Sequence, residues 1–319
     1  MEFASALGGK FSVGVANGTA AIELCLRDAG VTSGEVITSA LTAPFSGVGI
    51  RASGATPKFA DIDPETLQVD VADVASRITA KTRALMPVHL YGQPCALDRF
   101  QKLARKHKIP LIQDAAQAHG ALFDGQPLAA FSRYVAYSFY PTKNLGCMGD
   151  GGGIITDNAA ARDRLIVLRD GGRHGDQIAH SFGVNSRLDE LQCCFLRAFL
   201  PHLNEWNTHR ARIASLYDEE LRDCPGVKLV KRTEGSAHHL YVIRAERRDQ
   251  LRAHLAAQGI GTAVHYPVPL HKHPAFAQEG SLPHAERAVT EIVSLPLWPY
   301  LKESAVRRVA GQIRKFYGR

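Results

Sequence analysis

The chain has 319 residues, 45% of them hydrophobic and 22% charged, enough apolar material for about two folded domains and too much for a disordered polymer. The 38 Lys and Arg against 31 Asp and Glu leave a net charge of +7, but the basic residues are scattered rather than gathered in a run. That scatter disfavours a nucleic-acid partner and fits a positive field that collects a phosphorylated or nucleotide-linked small molecule. The six cysteines show no C-x-x-C pair and no zinc spacing, the first residues lack a basic stretch followed by an apolar one, and no apolar run approaches the ~20 residues of a membrane span. A cytoplasmic protein with free thiols is expected.

From the N-terminus, an apolar run over 13–16 closes on Asn17-Gly18-Thr19, and Ile22, Leu24, Leu26 and Ala29 follow partly at helical spacing, with Gly30 as the stop. The triplet therefore lies on a strand-to-helix turn, whose free amides attract an anion. Read alone, the simpler role of a helix N-cap is favoured there. Residues 36–38 predict a strand, LTAPFSGVGIRASG a loop entering a helix, and 56–62 another strand. A buried strand over 83–91 comes next, then a helix over 97–108 with Leu97, Phe100, Leu103 and Ala104 on one face. Strands alternating with helices predict an α/β fold with a mostly parallel central sheet and flanking helices, and ligands in such sheets gather at the carboxyl ends of the strands.

The stretch 109–153 concentrates the chemistry. An apolar run ends on Asp114, with Gln117 and His119 just beyond; a second strand-like run over 134–140 carries Ser138 near its end; Lys143 follows in a Pro-Thr-Lys-Asn turn. A carboxylate at one strand end and a hydroxyl plus an amine at another suit a cofactor with a basic ring nitrogen, a phosphate and an aldehyde. Pyridoxal 5'-phosphate (PLP) has all three, and Lys143 is expected to form a Schiff base with it. Taken singly, Asp114 reads better as a turn cap and Lys143 as a solvated surface lysine. The glycines of GDGGGIITD precede a strand rather than following one, the wrong order for a dinucleotide loop, and close backbone packing around Lys143 accounts for them better.

A helix over 159–168 and a long polar loop lead to Leu188, Leu191, Phe195, Phe199 and Leu203, an apolar stripe along a helix bent at Pro201 that reads as core or subunit contact. Helix continues over 206–221. The remainder predicts a strand over 239–244, a helix over 250–258, a strand over 261–265 and closing helices over 286–293 and 305–316. The chain thus divides into a large domain, 1–205, and a smaller C-terminal α/β domain, 206–319. His271 and His273 lack carboxylate or thiolate partners at zinc spacing, so no metal site is expected.

Nine pieces, VANGTAAIEL, GATPKFADIDPET, PVHLYGQP, DAAQAHGA, SFYPTKNLG, GDGGGIIT, GVNSRLDELQ, HYPVPLH and SLPLWPYL, run in order over nearly the whole chain. With them the chain resembles the DegT/DnrJ/StrS family of sugar aminotransferases, PLP-dependent transferases of fold type I. The resemblance implies that Lys143 carries the cofactor and shuttles the proton, that Asp114 pairs with the pyridinium nitrogen, and that Gln117 sits against the ring or its 3-hydroxyl. Gly18, Thr19 and Ser138 would hold the phosphate, and Asn185 would reach the phosphate of the partner subunit in a homodimer with shared active sites. A carboxylate near the ring nitrogen favours its protonated form, while burial and a cationic ring lower the pKa of the lysine.

The activity so implied moves an amino group from an amino acid, glutamate the expected donor, to a keto sugar, expected to be nucleotide-linked. The alternatives are a PLP- or PMP-dependent sugar dehydratase, whose members replace the lysine with histidine, and a non-catalytic regulatory relative of the same fold. Family members usually carry a further segment before the EFA motif, which here begins at Glu2, and an aromatic after the threonine at position 42, where this chain has Ala43-Pro44. Phe45, the nearest aromatic, either stacks on the ring in its place or packs in the core. His265 and Tyr266 match the family's substrate-facing HYP segment, and His119 is a candidate for substrate contact, ring support or an ordinary loop position.

Overall fold

In the computed structural model, which describes residues 1–318, four strands in the order β1-β9-β8-β5 and three in the order β3-β2-β4 meet edge to edge. They are β1 (Phe11–Val15), β2 (Glu35–Ser39), β3 (Thr56–Ala60), β4 (Thr82–Met86), β5 (Ile112–Asp114), β8 (Tyr134–Ser138) and β9 (Gly152–Thr156), with a small hairpin of β6 (Leu122–Phe123) and β7 (Gln126–Pro127) set apart. Isolated parallel bridges, Leu85 with Leu111 and Val88 with Asp114, join the two groups. Only β9 runs against its neighbours, so the sheet is mostly parallel, as predicted.

Both faces of this sheet are covered, and the period of two along each strand decides which side chain goes where. Tyr134, Ala136 and Ile154 point into one apolar core with Val13, Ile22, Leu26 and Leu165, beneath the helices Gly18–Asp28 and Ala159–Arg169. Val135, Tyr137 and Ile155 point into another with Leu97, Leu128, Leu196 and Leu203. Full burial of each large aliphatic side chain contributes about 1.5–3 kcal/mol, so each core holds its helices firmly.

The helix Leu203–Leu221 leads from one apolar core to another. Leu203 belongs to the second core of the sheet, whereas Ile213, Tyr217 and Leu221 pack into a C-terminal core with Ile243, Leu255, Val293 and Ile313. That core covers an antiparallel sheet of β10 (Val227–Leu229), β11 (Tyr241–Ala245) and β12 (Ile292–Leu295). Among the described residues, no helix is long and apolar enough to cross a membrane.

Several elements differ from the sequence reading. The strand predicted over 261–265 does not form; Ala263 makes a single bridge to Ser294 and the chain then leaves the sheet. Its later polar groups are met by side chains instead of a ladder: the Tyr91 hydroxyl donates to the His265 carbonyl, and His265 Nδ1 lies 2.8 Å from Ser294 Oγ. The helix predicted over 286–293 is Pro283–Glu291, and Ile292 and Val293 open β12. Arg248 donates to the carbonyls of Val289 and Ile292, serving the helix end that the strand would otherwise leave open. The strand predicted over 83–91 ends at Met86, and Leu90–Gly92 forms a tight turn with Tyr91 at φ 62°. At Pro201 the stripe breaks into the helix Glu190–Phe199, a 3₁₀ turn and the next helix, leaving Leu191 65% exposed.

Two buried imidazoles make the fold sensitive to acid. His89 Nδ1 accepts the Cys95 N–H at 3.0 Å, so Nε2 carries the proton and faces Gln113 Oε1 at 2.9 Å. Burial lowers the His89 pKa to about 4 and that of His119 to about 3. Both folded values lie below the unfolded value of about 6.5, so the unfolded chain binds more protons as pH falls below it. The associated stability is complete above pH ~6.5 and declines toward pH ~4 by about 1.4 kcal/mol per unit for each ring. Urea unfolding of the cofactor-free protein should therefore give a free energy several kcal/mol lower near pH 5 than near pH 7.5; equal values would contradict this account.

Candidate active site

The carboxyl ends of β1, β2, β5 and β8 converge on one cavity of about 580 Å³, closed from the C-terminal side by His239, Leu240, His265 and Tyr266. A strand leaving a parallel sheet must turn, and these turns place the polar residues at one edge. Asp114, Gln117, Ser138, Lys143, Gly18, Thr19, Phe45, His265 and Tyr266 all line this cavity.

Asp114 closes β5 and is 2% exposed. Its Oδ2 accepts from Ser46 Oγ at 2.7 Å and its Oδ1 from the Ala116 N–H at 3.1 Å. Because Ser46 spends its single proton on the carboxylate, the Thr42 hydroxyl 3.1 Å away must be the donor in their contact. Burial pushes the Asp114 pKa up, while the Ser46 and Ala116 hydrogen bonds and the charge of Lys143 pull it back. Lys143 sits in the turn after β8, its N–H donating to the Tyr140 carbonyl at 2.8 Å. Burial lowers its pKa to about 8, against the attraction of Asp114. An amine so placed is part free base near neutral pH and hence nucleophilic.

The turn after β1 serves two purposes. Asn17 Oδ1 caps the helix Gly18–Asp28 by accepting the Ala20 N–H at 2.9 Å, as a plain N-cap would. The Gly18 and Thr19 amides, which have no intrahelical acceptor, remain at the cavity with the Ser138 hydroxyl alongside. The approach is close: a Cβ on Gly18 would lie 2.8 Å from Ser138 Cβ, and one on Gly152 would lie 2.4 Å from the Asn17 carbonyl. Of the glycine run, Gly152 packs against this anion-facing turn while Gly151 and Gly153 meet Phe139, and Lys143, around which close packing was expected, is not among their nearest neighbours.

Gln117 Oε1 accepts the Tyr91 N–H at 2.6 Å and Nε2 donates to the Tyr266 hydroxyl at 3.0 Å, which ties three elements to one wall. Phe45 is 63% exposed at the start of the helix Pro44–Ala52, so it is not a core residue. His119 does not line the cavity; its ring is fully buried behind the wall against Tyr137 and Phe139, with centroids 5.2 and 5.9 Å away. Asn185 also lies outside the cavity of its own chain, exposed, with its backbone bridged to Asp170.

Ser46 and His239 were not among the residues singled out from the sequence. Ser46 looks like one more small residue of a helix start, and nothing local reveals that its hydroxyl meets a carboxylate 68 positions away. His239 stands at the start of a predicted strand beside a second histidine, which offered no motif. The prediction from the Ser46 contact is that Ser46→Ala, which strands a buried carboxylate oxygen, lowers stability by about 1–3 kcal/mol in chemical denaturation near pH 7.5. A loss under about 0.5 kcal/mol would contradict the contact.

Comparison with known proteins places the chain in one family. The model of the DegT/DnrJ/EryC1/StrS aminotransferase family matches residues 1–314. The chain is 43% identical over 317 residues to a protein named pleiotropic regulatory protein from Geobacillus stearothermophilus, covering 97% of this chain and 85% of that one. It is 42% identical over 322 residues to dTDP-3-amino-3,4,6-trideoxy-alpha-D-glucose transaminase from Streptomyces venezuelae, covering 99% and 85%. Among solved structures, S. venezuelae DesV in complex with a ketimine intermediate superimposes with a TM-score of 0.97 at 41% identity, covering 100% of this chain and 88% of that one. NtdA of Bacillus subtilis, with bound cofactor PMP, gives 0.88 at 28% identity, covering 97% and 74%.

Proposed function

The chain belongs to the DegT/DnrJ/EryC1/StrS aminotransferase family, and from that premise we propose that it transfers the amino group of an amino acid, glutamate being the expected donor, to the keto group of a nucleotide-linked sugar with PLP as cofactor. The observation that carries the reading is a buried carboxylate, Asp114, and a lysine of lowered pKa, Lys143, opening into one cavity beside an uncapped pair of helix amides.

The residues present suit PLP group by group. The Gly18 and Thr19 amides with the Thr19 and Ser138 hydroxyls offer donors for a phosphate, and the amine of Lys143 offers a nucleophile for an aldehyde. Asp114 offers a fixed negative charge for a protonated ring nitrogen. The cavity, at about 580 Å³, falls within the usual range for small-molecule sites. When bound, PLP supplies an electron sink for the carbanion that forms at the amino-bearing carbon.

Within this reading the chain's own groups divide the work. The Ser46 and Ala116 hydrogen bonds favour the charged form of Asp114 against its burial, and that charge would favour a protonated ring nitrogen. Lys143 Nζ, once freed by an incoming amine, would be the base placed to move a proton at the substrate carbon. Gln117, bonded on both sides, supports the ring face or its 3-hydroxyl. Phe45, His265 and Tyr266 stand where a sugar would enter. We assign Asn185 to the phosphate of the partner subunit in a homodimer; its exposure and its place outside its own cavity support that role. The large domain, 1–205, and the small one, 206–319, belong to the same proposal, supported by a core built only from residues beyond 212, while a further core joins the two.

Names of relatives are divided, since one is called a regulatory protein, but a regulator needs no lysine of lowered pKa facing a buried carboxylate. The test is spectroscopic. PLP added to the purified protein should produce a visible band that glutamate converts to that of the amine form, and keto-sugar nucleotides should then be aminated, as read by mass spectrometry. Lys143→Ala should abolish the band of the lysine-linked cofactor and lower turnover by at least ~10²–10⁴-fold. An unchanged spectrum in that variant would defeat the assignment.

A further inference from the structure

β1 is the outer strand of its group and, among the described residues, pairs with β9 alone. In an antiparallel pair every second residue turns its N–H and C=O away from the partner strand, and on an outer strand those groups need partners from elsewhere. The ladder with β9 runs from Phe11 to Val15, so the Ala16 N–H, the last before the Asn17-Gly18-Thr19 turn, lies outside it. One distant segment meets these needs. The Arg169 guanidinium donates to the Gly14 carbonyl at 2.5 Å, and Ser186 Oγ accepts the Ala16 N–H at 3.1 Å.

That segment is itself fixed by backbone bonds. The Ser186 N–H donates to the Arg169 carbonyl at 2.8 Å and the Val184 N–H to the Leu168 carbonyl at 2.7 Å, so the two residues that reach β1 are direct neighbours. Leu188 follows against the same strand, where a Cβ on Gly14 would lie 3.0 Å from Leu188 Cβ. Ser186 is 4% exposed between the exposed Asn185 and Arg187, so its hydroxyl is turned inward while its neighbours face out.

A buried hydroxyl on an open strand edge could serve folding alone. Its place gives this one a further role, because Ala16 stands two residues before the first of the amides that face the cavity. Asn17 fixes the helix side of the turn through Ala20, Gly152 backs it, and Ser186 fixes the strand side. Amides that must be ordered when an anion arrives bind it less tightly than amides already aimed.

We propose that Ser186 and Arg169 are positioning residues for the phosphate-binding turn, holding the end of β1 so that the Gly18 and Thr19 amides stay aimed at the cavity. Neither residue lines the cavity itself. The inference rests on reading that turn as a phosphate site, and inorganic phosphate tests it without cofactor.

Two measurements on the full-length chain decide the matter. Amide NMR of the cofactor-free protein, titrated with inorganic phosphate, should move the Gly18 and Thr19 signals, and Ser186→Ala should raise the phosphate Kd read from them by about tenfold. The cofactor supplies a readout that a general loss of stability would not move: Ser186→Ala should weaken PLP by a similar factor and leave the binding of pyridoxal, which lacks the phosphate, unchanged. Ser53→Ala is the control, removing an equally buried hydroxyl that accepts the Ala55 N–H away from the cavity, and should alter neither ligand. Should Ser186→Ala fail to fold, Arg169→Gln, which severs the Gly14 contact, should give the same phosphate-selective loss. Unmoved Gly18 and Thr19 signals in the wild type, an unchanged phosphate Kd in a folded variant, or an equal loss for PLP and pyridoxal would overturn the proposal. Failure of the cofactor reading alone would show as no visible band with the phosphate titrations as expected.

Discussion

A carboxylate sealed inside a protein protonates unless something holds its charge, and at Asp114 that something is a hydroxyl, an amide and an amine drawn from three separate parts of the chain. Ser46 comes from the helix after β2, the Ala116 amide from the turn after β5, and Lys143 from the turn after β8. Only a parallel sheet brings these strand ends to one edge. The bridge between Val88 and Asp114 matters for the same reason, because it seats the carboxylate where the two groups of strands join. Burial works on both partners at once. It raises the acid and lowers the amine, so the pair stands nearer to neutrality than two surface charges would.

The remainder of the cavity follows from how closely the backbone can approach. Without side chains at Gly18 and Gly152, the turn after β1 lies against β9 and Ser138, and two helix amides are left facing the space in front of Lys143. The C-terminal unit closes the other side through His239, His265 and Tyr266, each tied back by a hydrogen bond to Asn144, Ser294 or Gln117. The wall is therefore held by polar contacts between distant segments rather than by apolar packing alone, and a substitution in any of these partners acts on the site without touching it.

Much of this was legible in the chain. The central strands announced themselves by short apolar runs, and the helices over 18–28 and 97–107 by their apolar faces. Asp114, Ser138 and Lys143 stood at strand ends, where chemistry gathers, and the ordered motifs linked them to one family. What failed had a common cause: local pattern was overruled by partners far away in sequence. Residues 261–265 have strand-like composition but find only one bridge, because the chain is drawn off by Tyr91 and Ser294. Ile292 and Val293 sit in a helical period yet pair with β11. His119 looked like a loop residue near the chemistry and lies behind the wall, packed on Tyr137 and Phe139. Ser46 and His239 carry no local signal, since their meaning comes from Asp114 and Asn144.

The account stands or falls on whether the nitrogen at position 143 is the point of covalent attachment. Reduction of the PLP-loaded protein with borohydride, followed by proteolysis and mass spectrometry, fixes that point directly. The account predicts a single pyridoxyl adduct, on the peptide containing Lys143, in stoichiometric yield. An adduct on any other lysine, or none after saturation with PLP, would contradict it.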